Sequence, residues 1–354
     1  MYKKLEIIEP GGFGGVYQHS VALAARVEEL FERVTIHTSK SPEIIIGGAF
    51  HICECFNWFR SDKKYKRKIK FSLYFIFKTW PHLIWKARNS FVNLQGISIP
   101  IMSLIMVIGF RTLRYKVVYT PHNLFARDKG KIAQLILKAC IAFSSLIITF
   151  SKSDTKYLND KDIECFSAPL FMPKYPLDPG RVNLWEKRIR KNGKITLLMA
   201  GQLRLDKGLF DLEELMLNMD ENYILAVVGK STTAQAEEIL NRLKKQDNIM
   251  VINEYLDFAD FYTLISISDY VLLPYKLASQ SGIIELANSL NVPTISYPVG
   301  ALWERATYIT ENPNPQSMAK TITTLGFPSE SFVNQGVEEN DFWVEAFRKR
   351  LSQF

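Results

Sequence analysis

The feature that most constrains this chain is a repeated succession: a short apolar run, an abrupt polar or glycine-rich loop, then apolar residues at helical spacing. Residues 5–8 are apolar on balance and stop at Glu9-Pro10 and the cluster Gly11-Gly12-Phe13-Gly14-Gly15. Beyond it Leu23, Val27 and Leu30 fall on one helical face, with Arg26, Glu28, Glu29 and Glu32 outside. Further strands are expected at 34–37, at 116–119 ending in Thr120-Pro121-His122-Asn123, and at 145–150 ending in Ser151-Lys152-Ser153-Asp154. Strands whose carboxyl ends run into polar loops are the pattern of a parallel doubly wound sheet. The pattern restarts after 169–193, a turn-rich stretch followed by a charged run, with strands expected at 195–199, 223–228, 250–252, 270–273 and 294–296 and helices between them, such as 234–245.

The expected organisation is therefore α/β: a first domain over 1–168, a linker over 169–193, a second domain over 194–335, and a terminal helix over 336–354. That helix carries Phe342, Trp343, Phe347 and Leu351 and is expected to pack back on the first domain. A length of 354 residues suits two such units. With 47% apolar residues, 18 Gly and 15 Pro, the composition excludes a disordered or collagen-like chain. Four scattered cysteines, Cys53, Cys55, Cys140 and Cys165, do not make a disulfide framework, and Cys53-Glu54-Cys55 has no second ligand pair nearby in sequence. Free thiols in a reducing compartment and no metal site are expected. The N-terminus has no apolar core of a signal peptide, and the longest apolar stretch, 97–110, spans about 14 residues where a membrane-crossing helix needs about 20.

Charge is unevenly distributed. Of the formal +8, residues 1–165 hold 25 basic and 13 acidic side chains, a net of +12, whereas 166–354 carry a net of −4. Much of the surplus lies in 60–88, where ten basic residues and one acidic residue are interleaved with Phe71, Phe75, Phe77, Trp80 and Trp85. Lys63, Lys64, Lys66, Arg67, Lys68 and Lys70 with Trp80 and Trp85 suit an anionic membrane surface, rings at headgroup level and cations on phosphates. Single-stranded nucleic acid is the other anion that such interleaving can meet, and a solvated helix face the plain structural reading.

Three loops carry candidate chemistry. The glycine cluster lets a ligand approach the backbone at a helix N-terminus, or serves only to turn the chain. Thr38-Ser39-Lys40 follows the second strand without the acidic residue that holds a dinucleotide's ribose, which argues against a nicotinamide dehydrogenase. Gly201-Gln202-Leu203-Arg204-Leu205-Asp206-Lys207-Gly208 places Arg204 and Lys207 after a strand, suited to a diphosphate or else to solvent. Pro274 to Glu285 ends a strand and starts a helix at Ser281-Gly282, with Glu285 in its first turn. Amide donors for phosphate and a carboxylate for ribose hydroxyls then lie within one ligand's reach; the plain reading is a cap and a helix-dipole contact.

With these motifs, GGFGGVYQHS, YTPHN, GQLRLDKG and above all PYKLASQSGIIELANSLNVPTISYPVGALWE, the chain resembles the GT-B glycosyltransferases of family 4 and their relatives, over nearly its whole length. The resemblance implies two Rossmann-like domains facing a cleft, the nucleotide sugar held mainly by the second and the acceptor by the first. It implies Arg204 and Lys207 on the diphosphate, Ser281 and Gly282 giving amides, Glu285 as ribose clamp, Gly14 and Gly15 closing over the phosphates, and His122 at the donor sugar, with His19 a weaker candidate. Two departures stand out: the first glutamate of the family's E-x7-E pattern falls at Leu277, and the Arg that commonly follows the phosphate-loop glycine is Gln202.

The expected activity is hexosyl transfer from a UDP- or GDP-sugar to a lipid-linked or growing polysaccharide acceptor at the inner face of the cell membrane. It is expected to be independent of metal, to use no cofactor beyond the nucleotide sugar and to bind no nucleic acid. A nucleotide-sugar epimerase of the same architecture, or a non-catalytic protein that kept the fold, is the competing reading.

Overall fold

The computed structural model describes residues 2–57, 70–96, 99–122, 124, 130–190, 193–278, 280–328, 348 and 352. It divides into two compact units, the first over Met1–Pro173 and the second over Lys174–Glu339. The expected terminal helix lies almost wholly outside the described residues.

The first unit is built on seven strands, β1 (Tyr2–Ile8), β2 (Phe31–Ser39), β3 (His51–Phe56), β4 (Phe91–Gln95), β5 (Lys116–Thr120), β6 (Leu146–Thr149) and β7 (Cys165–Ser167). All pair in parallel, in the order β3-β2-β1-β4-β5-β6-β7. The order reverses between β1 and β4, and loops leaving the carboxyl ends of those two strands frame the crevice that such sheets use for ligands. Sequence reading finds β1, β2, β5 and β6 and misses the other three. In β4, Asn93 and Gln95 are buried polar residues, and in β3 the pattern His-Ile-Cys-Glu-Cys-Phe mixes both classes, so neither reads as an apolar run.

The second unit contains β8 (Ile195–Ala200), β9 (Tyr223–Val228), β10 (Ile249–Ile252), β11 (Tyr270–Leu273), β12 (Thr294–Ser296) and β13 (Tyr308–Ile309). This sheet is also parallel, ordered β10-β9-β8-β11-β12-β13, and reverses between β8 and β11. Every residue of β8, β9 and β11 is buried, as expected of strands covered on both faces by helices. The helices begin where the sequence offers caps: Thr233 accepts from the Ala236 amide, Asp257 from Asp260 and Asn314 from Ser317. In the first unit Ser151 plays the same part for the helix Lys152–Asn159, accepting from the Asp154 amide at 3.0 Å. Within the stretch read as a linker, 169–193, the helix Pro179–Ile189 packs on the second unit: Trp185 is buried, and both its indole N–H and Arg181 donate to Asp260.

The basic aromatic stretch is described from residue 70 onward; Lys63, Lys64, Lys66, Arg67 and Lys68 lie outside the described residues. Exposed Lys70 opens a helical run that includes a π-helical turn, Phe75–Thr79, and the helix Trp80–Lys86. Its apolar residues divide between buried and exposed positions. Phe71, Phe75 and Leu83 are buried, while Leu73, Ile76, Phe77 and Trp85 are exposed. Trp80, expected at a membrane surface, instead packs inward: its ring lies 5.0 Å from that of Phe110, over Gly109, where a Cβ would come within 2.4 Å of the indole. The room that Gly109 leaves on the facing helix and the contact with Phe110 outweigh any preference of this ring for the surface.

Candidate active site

In the second unit, the loops following β8 and β11, the two strands at the reversal, converge. The Lys276 amide donates to the Asp206 carbonyl at 2.9 Å. Gly208, at φ +80°, lies so close to the β11 loop that a Cβ would stand 1.9 Å from the Pro274 carbonyl oxygen. On this base the Lys207 ammonium sits 3.6 Å from the centroid of the Tyr275 ring. Burial, then the neighbouring Arg204 charge, lowers its pKa to about 8. Tyr275 is itself buried, and burial raises its pKa to about 12.

Arg204 spends its fork on its own loop, with Nε and Nη2 donating to the two Asp206 carboxylate oxygens at 2.9 and 2.6 Å. Ser281 is the N-cap of the helix Gly282–Ser289, yet its side chain makes no cap hydrogen bond. The plain reading of Ser281 as a cap is thus not what the structure has. A cation pair and an uncapped helix start within one loop assembly can meet an anion through charge and backbone amides together.

Glu285 does lie in the first helical turn, but each of its oxygens accepts from Arg305, Oε1 from Nε at 2.8 Å and Oε2 from Nη2 at 2.9 Å. Arg305 is a partner that spacing could not reveal, since the chain traverses β12 between the two. Leu277, in the place of the absent motif glutamate, is half exposed.

In the first unit the glycine loop is occupied by the protein's own carboxylates. The Gly11 and Gly12 amides donate to Glu9 at 2.9 and 2.8 Å, and the Gly14 amide, at the start of the helix Gly14–Val27, donates to Glu43 at 2.7 Å. Gly15 starts the same helix beside the Met172 methyl. Burial pushes the Glu9 carboxyl upward in spite of these bonds.

Behind that loop two histidines face each other edge to face, His19 and His122, with ring centroids 5.7 Å apart. The Phe171 amide donates to His19 Nδ1 at 3.0 Å, and burial lowers the His19 pKa to about 3. His122 Nε2 donates to Gln95 at 2.7 Å; Gln95 in turn donates to Asn93, and Asn93 to Thr120 at 3.0 Å. Burial, then the adjacent His19, holds His122 well below the usual histidine range. His122 therefore stands as a neutral, oriented imidazole at the carboxyl end of β5. The buried amides that orient it come from β4, a strand not legible in the sequence.

No family model matches the chain, and no curated protein matches it. Among solved structures, HepE from Anabaena in complex with UDP and glucose is similar over 100% of both chains, at 12% identity and TM-score 0.72. The chain has the GT-B fold. WaaG, a glycosyltransferase involved in lipopolysaccharide biosynthesis, matches this fold over 96% of this chain and 95% of its own at 15% identity and TM-score 0.61. The catalytic domain of starch synthase IV from Arabidopsis thaliana, bound to ADP and acarbose, does so over 99% of both chains at 11% identity and TM-score 0.71. Within this GT-B chain, Arg204, Lys207, Ser281, Gly282 and Glu285 belong to one loop assembly in the second unit, and Gly14, Gly15, His19 and His122 to the first.

Proposed function

We propose that this chain is a glycosyltransferase that takes its sugar from a nucleoside diphosphate sugar and passes it to a lipid-linked saccharide. The observation that carries the reading is the assembly at the strand-order reversal of the second sheet: Lys207 and Arg204 beside the uncapped helix start at Ser281-Gly282. In such a site the ammonium and guanidinium neutralise the charge that grows on the departing diphosphate, and the helix amides hold the phosphate oxygens, so the leaving group is stabilised by the protein's own cations. Glu285, in the first turn of that helix and paired with Arg305, is the carboxylate proposed to meet the ribose hydroxyls. His122, neutral and with its Nε2 proton given to Gln95, is the first unit's candidate for the donor sugar and brings no charge to it. Similar structures are complexes with UDP, UDP-glucose and ADP, in keeping with a nucleotide-sugar donor.

The acceptor reading draws on the first unit's surface. Phe77 and Trp85 are 70% and 69% exposed, with the Lys86 ammonium 4.8 Å from the Trp85 ring centroid. The helix Pro100–Thr112 adds a stripe of exposed Ile101, Ile105 and Ile108. Apolar side chains among cations suit an anionic bilayer, where a lipid-linked acceptor is met. WaaG, one of the similar structures, is a glycosyltransferase involved in lipopolysaccharide biosynthesis, which is in keeping with this reading. Among the described residues no helix is long and apolar enough to cross a membrane.

The test is a thermal-shift panel of UDP, GDP, ADP and CMP and their sugars, since a specific donor stabilises the fold by mass action. One nucleoside diphosphate should raise the melting temperature in the wild type and not in Lys207→Ala. A flat response across the panel overturns the donor reading. Salt-sensitive sedimentation with anionic liposomes, without oligonucleotide binding, is expected of the membrane surface.

A further inference from the structure

In the first sheet, one face carries polar residues where a covered sheet ordinarily has apolar ones. Parallel pairing sets Glu6 of β1 opposite Thr35 and sets His37 of β2 opposite Cys53 of β3, so Glu6, Thr35, His37, Cys53 and, two residues on, Cys55 share that face. The helix Trp80–Lys86 covers it and brings His82 down onto it. The ligand-capable atoms of His37, Cys53, Cys55 and His82 all lie within 4.8 Å of one another. Cys53 Sγ is 3.3 Å from His82 Nε2, and Cys55 Sγ is 3.8 Å from His37 Nδ1. An ion bound tetrahedrally by sulfur and nitrogen spaces its ligand atoms about 3.3–3.8 Å apart, so these four need only small adjustments to close around one.

The surroundings match the chemistry of such an ion. His37 presents Nδ1 to the thiols because its Nε2 is held by the fully buried Glu6 carboxylate at 2.7 Å, and Glu6 is held in turn by Arg33 at 3.3 Å. A carboxylate behind a ligating imidazole fixes the ring and makes its free nitrogen a better donor. Thr79, just ahead of the covering helix, donates to the Cys55 carbonyl at 2.7 Å and ties that helix to β3. A cavity of about 260 Å³ lined by Arg33, Thr35, His37, His51, Cys53 and Lys86 opens beside the cluster and gives an ion a way in.

We propose that His37, Cys53, Cys55 and His82 form a binding site for one zinc ion. Two thiolates and two neutral imidazoles are a borderline-soft set that selects zinc over magnesium or calcium. On binding, the two thiols give up their protons to solvent and the four-ligand site is electrically neutral. With all four positions filled by protein the ion is structural, and it pins to the sheet the helix that displays Trp85. The sequence-level objection that Cys53-Glu54-Cys55 lacks a second ligand pair disappears because His37 and His82 supply that pair across a strand pairing and a helix crossing.

The full-length chain, purified without chelator, is expected to carry about one zinc per chain by elemental analysis, released when a mercurial titrates the thiols. Replacing zinc by cobalt(II) should give thiolate-to-cobalt charge transfer and the intense visible bands of a tetrahedral ion. Cys53→Ser and His82→Ala should each lose stoichiometric metal and that spectrum, while keeping the nucleotide-dependent thermal shift that reports a folded second unit. A wild-type protein that stays metal-free in excess zinc overturns the proposal, as does a weak octahedral cobalt spectrum or a tetrahedral spectrum unchanged in Cys53→Ser. Because the wild-type spectrum is itself decisive, the proposal stays testable even where a variant does not fold.

Discussion

The two sheets each carry a glycine-bearing loop and a helix start beside the strand-order reversal, and the two differ in what faces the helix amides. After β1, the carboxylates of Glu9 and Glu43 take the amides of Gly11, Gly12 and Gly14. Around β8 and β11, the helix start at Ser281-Gly282 has no side-chain cap and shares its loop assembly with Lys207 and Arg204. A glycine turn before a helix is therefore not in itself a phosphate site. The first loop is filled by the protein's own anions, whereas the second, where Asp206 holds Arg204, sets the Lys207 ammonium over Tyr275 beside the helix start on which the proposed diphosphate site rests.

The largest effect expected from this contrast is an acid one. His19, behind the first loop, has a pKa of about 3 because burial disfavours its charged form, whereas the unfolded chain protonates it near 6.5. The unfolded state thus binds more protons, and stability falls as pH drops below about 6.5, by roughly 1.4 kcal/mol per pH unit and toward about 5 kcal/mol by pH 3. Urea midpoints across that range check it, and His19→Leu should flatten the slope. Next is Gly208→Ala, whose Cβ meets the Pro274 carbonyl at a φ of +80°. It should cost about 3 kcal/mol or more in urea denaturation.

Lys207→Ala should weaken nucleoside diphosphate binding by about 10–100-fold in calorimetry, the loss of one charge-assisted contact. Because the free ammonium titrates near pH 8, wild-type affinity should decline as pH rises through about 8, and Lys207→Arg should hold it. An equal loss of affinity in Glu43→Gln would erase the distinction between the loops. The smallest effect belongs to Gly14→Ala: φ is +69°, but nothing lies within 4 Å of the added Cβ, so about 1 kcal/mol is expected from backbone strain alone.

Several elements were legible because their signal is local. The continuous apolar runs of β8, β9 and β11 are read from neighbouring residues, and they fix where the loops that follow them begin. Strands β3 and β4 were not, since buried Asn93 and Gln95 are tolerated only because Thr120 and His122, on another strand and its loop, satisfy them. Trp80 read as a surface anchor for the same reason: the space that accepts it is made by Gly109 and Phe110 on another helix.

The sequence by itself determined the two α/β units, the placement of polar loops at strand ends, and the cations and helix start of the second unit, because each depends on residues a few positions apart. Tertiary structure alone decided which charges meet. It engaged Glu285 with Arg305 and filled the first glycine loop with Glu43. It also gathered His37, Cys53, Cys55 and His82 on one sheet face. Parallel pairing and helix packing bring together residues that are far apart along the chain, and electrostatic partners act through distance in space rather than separation in sequence.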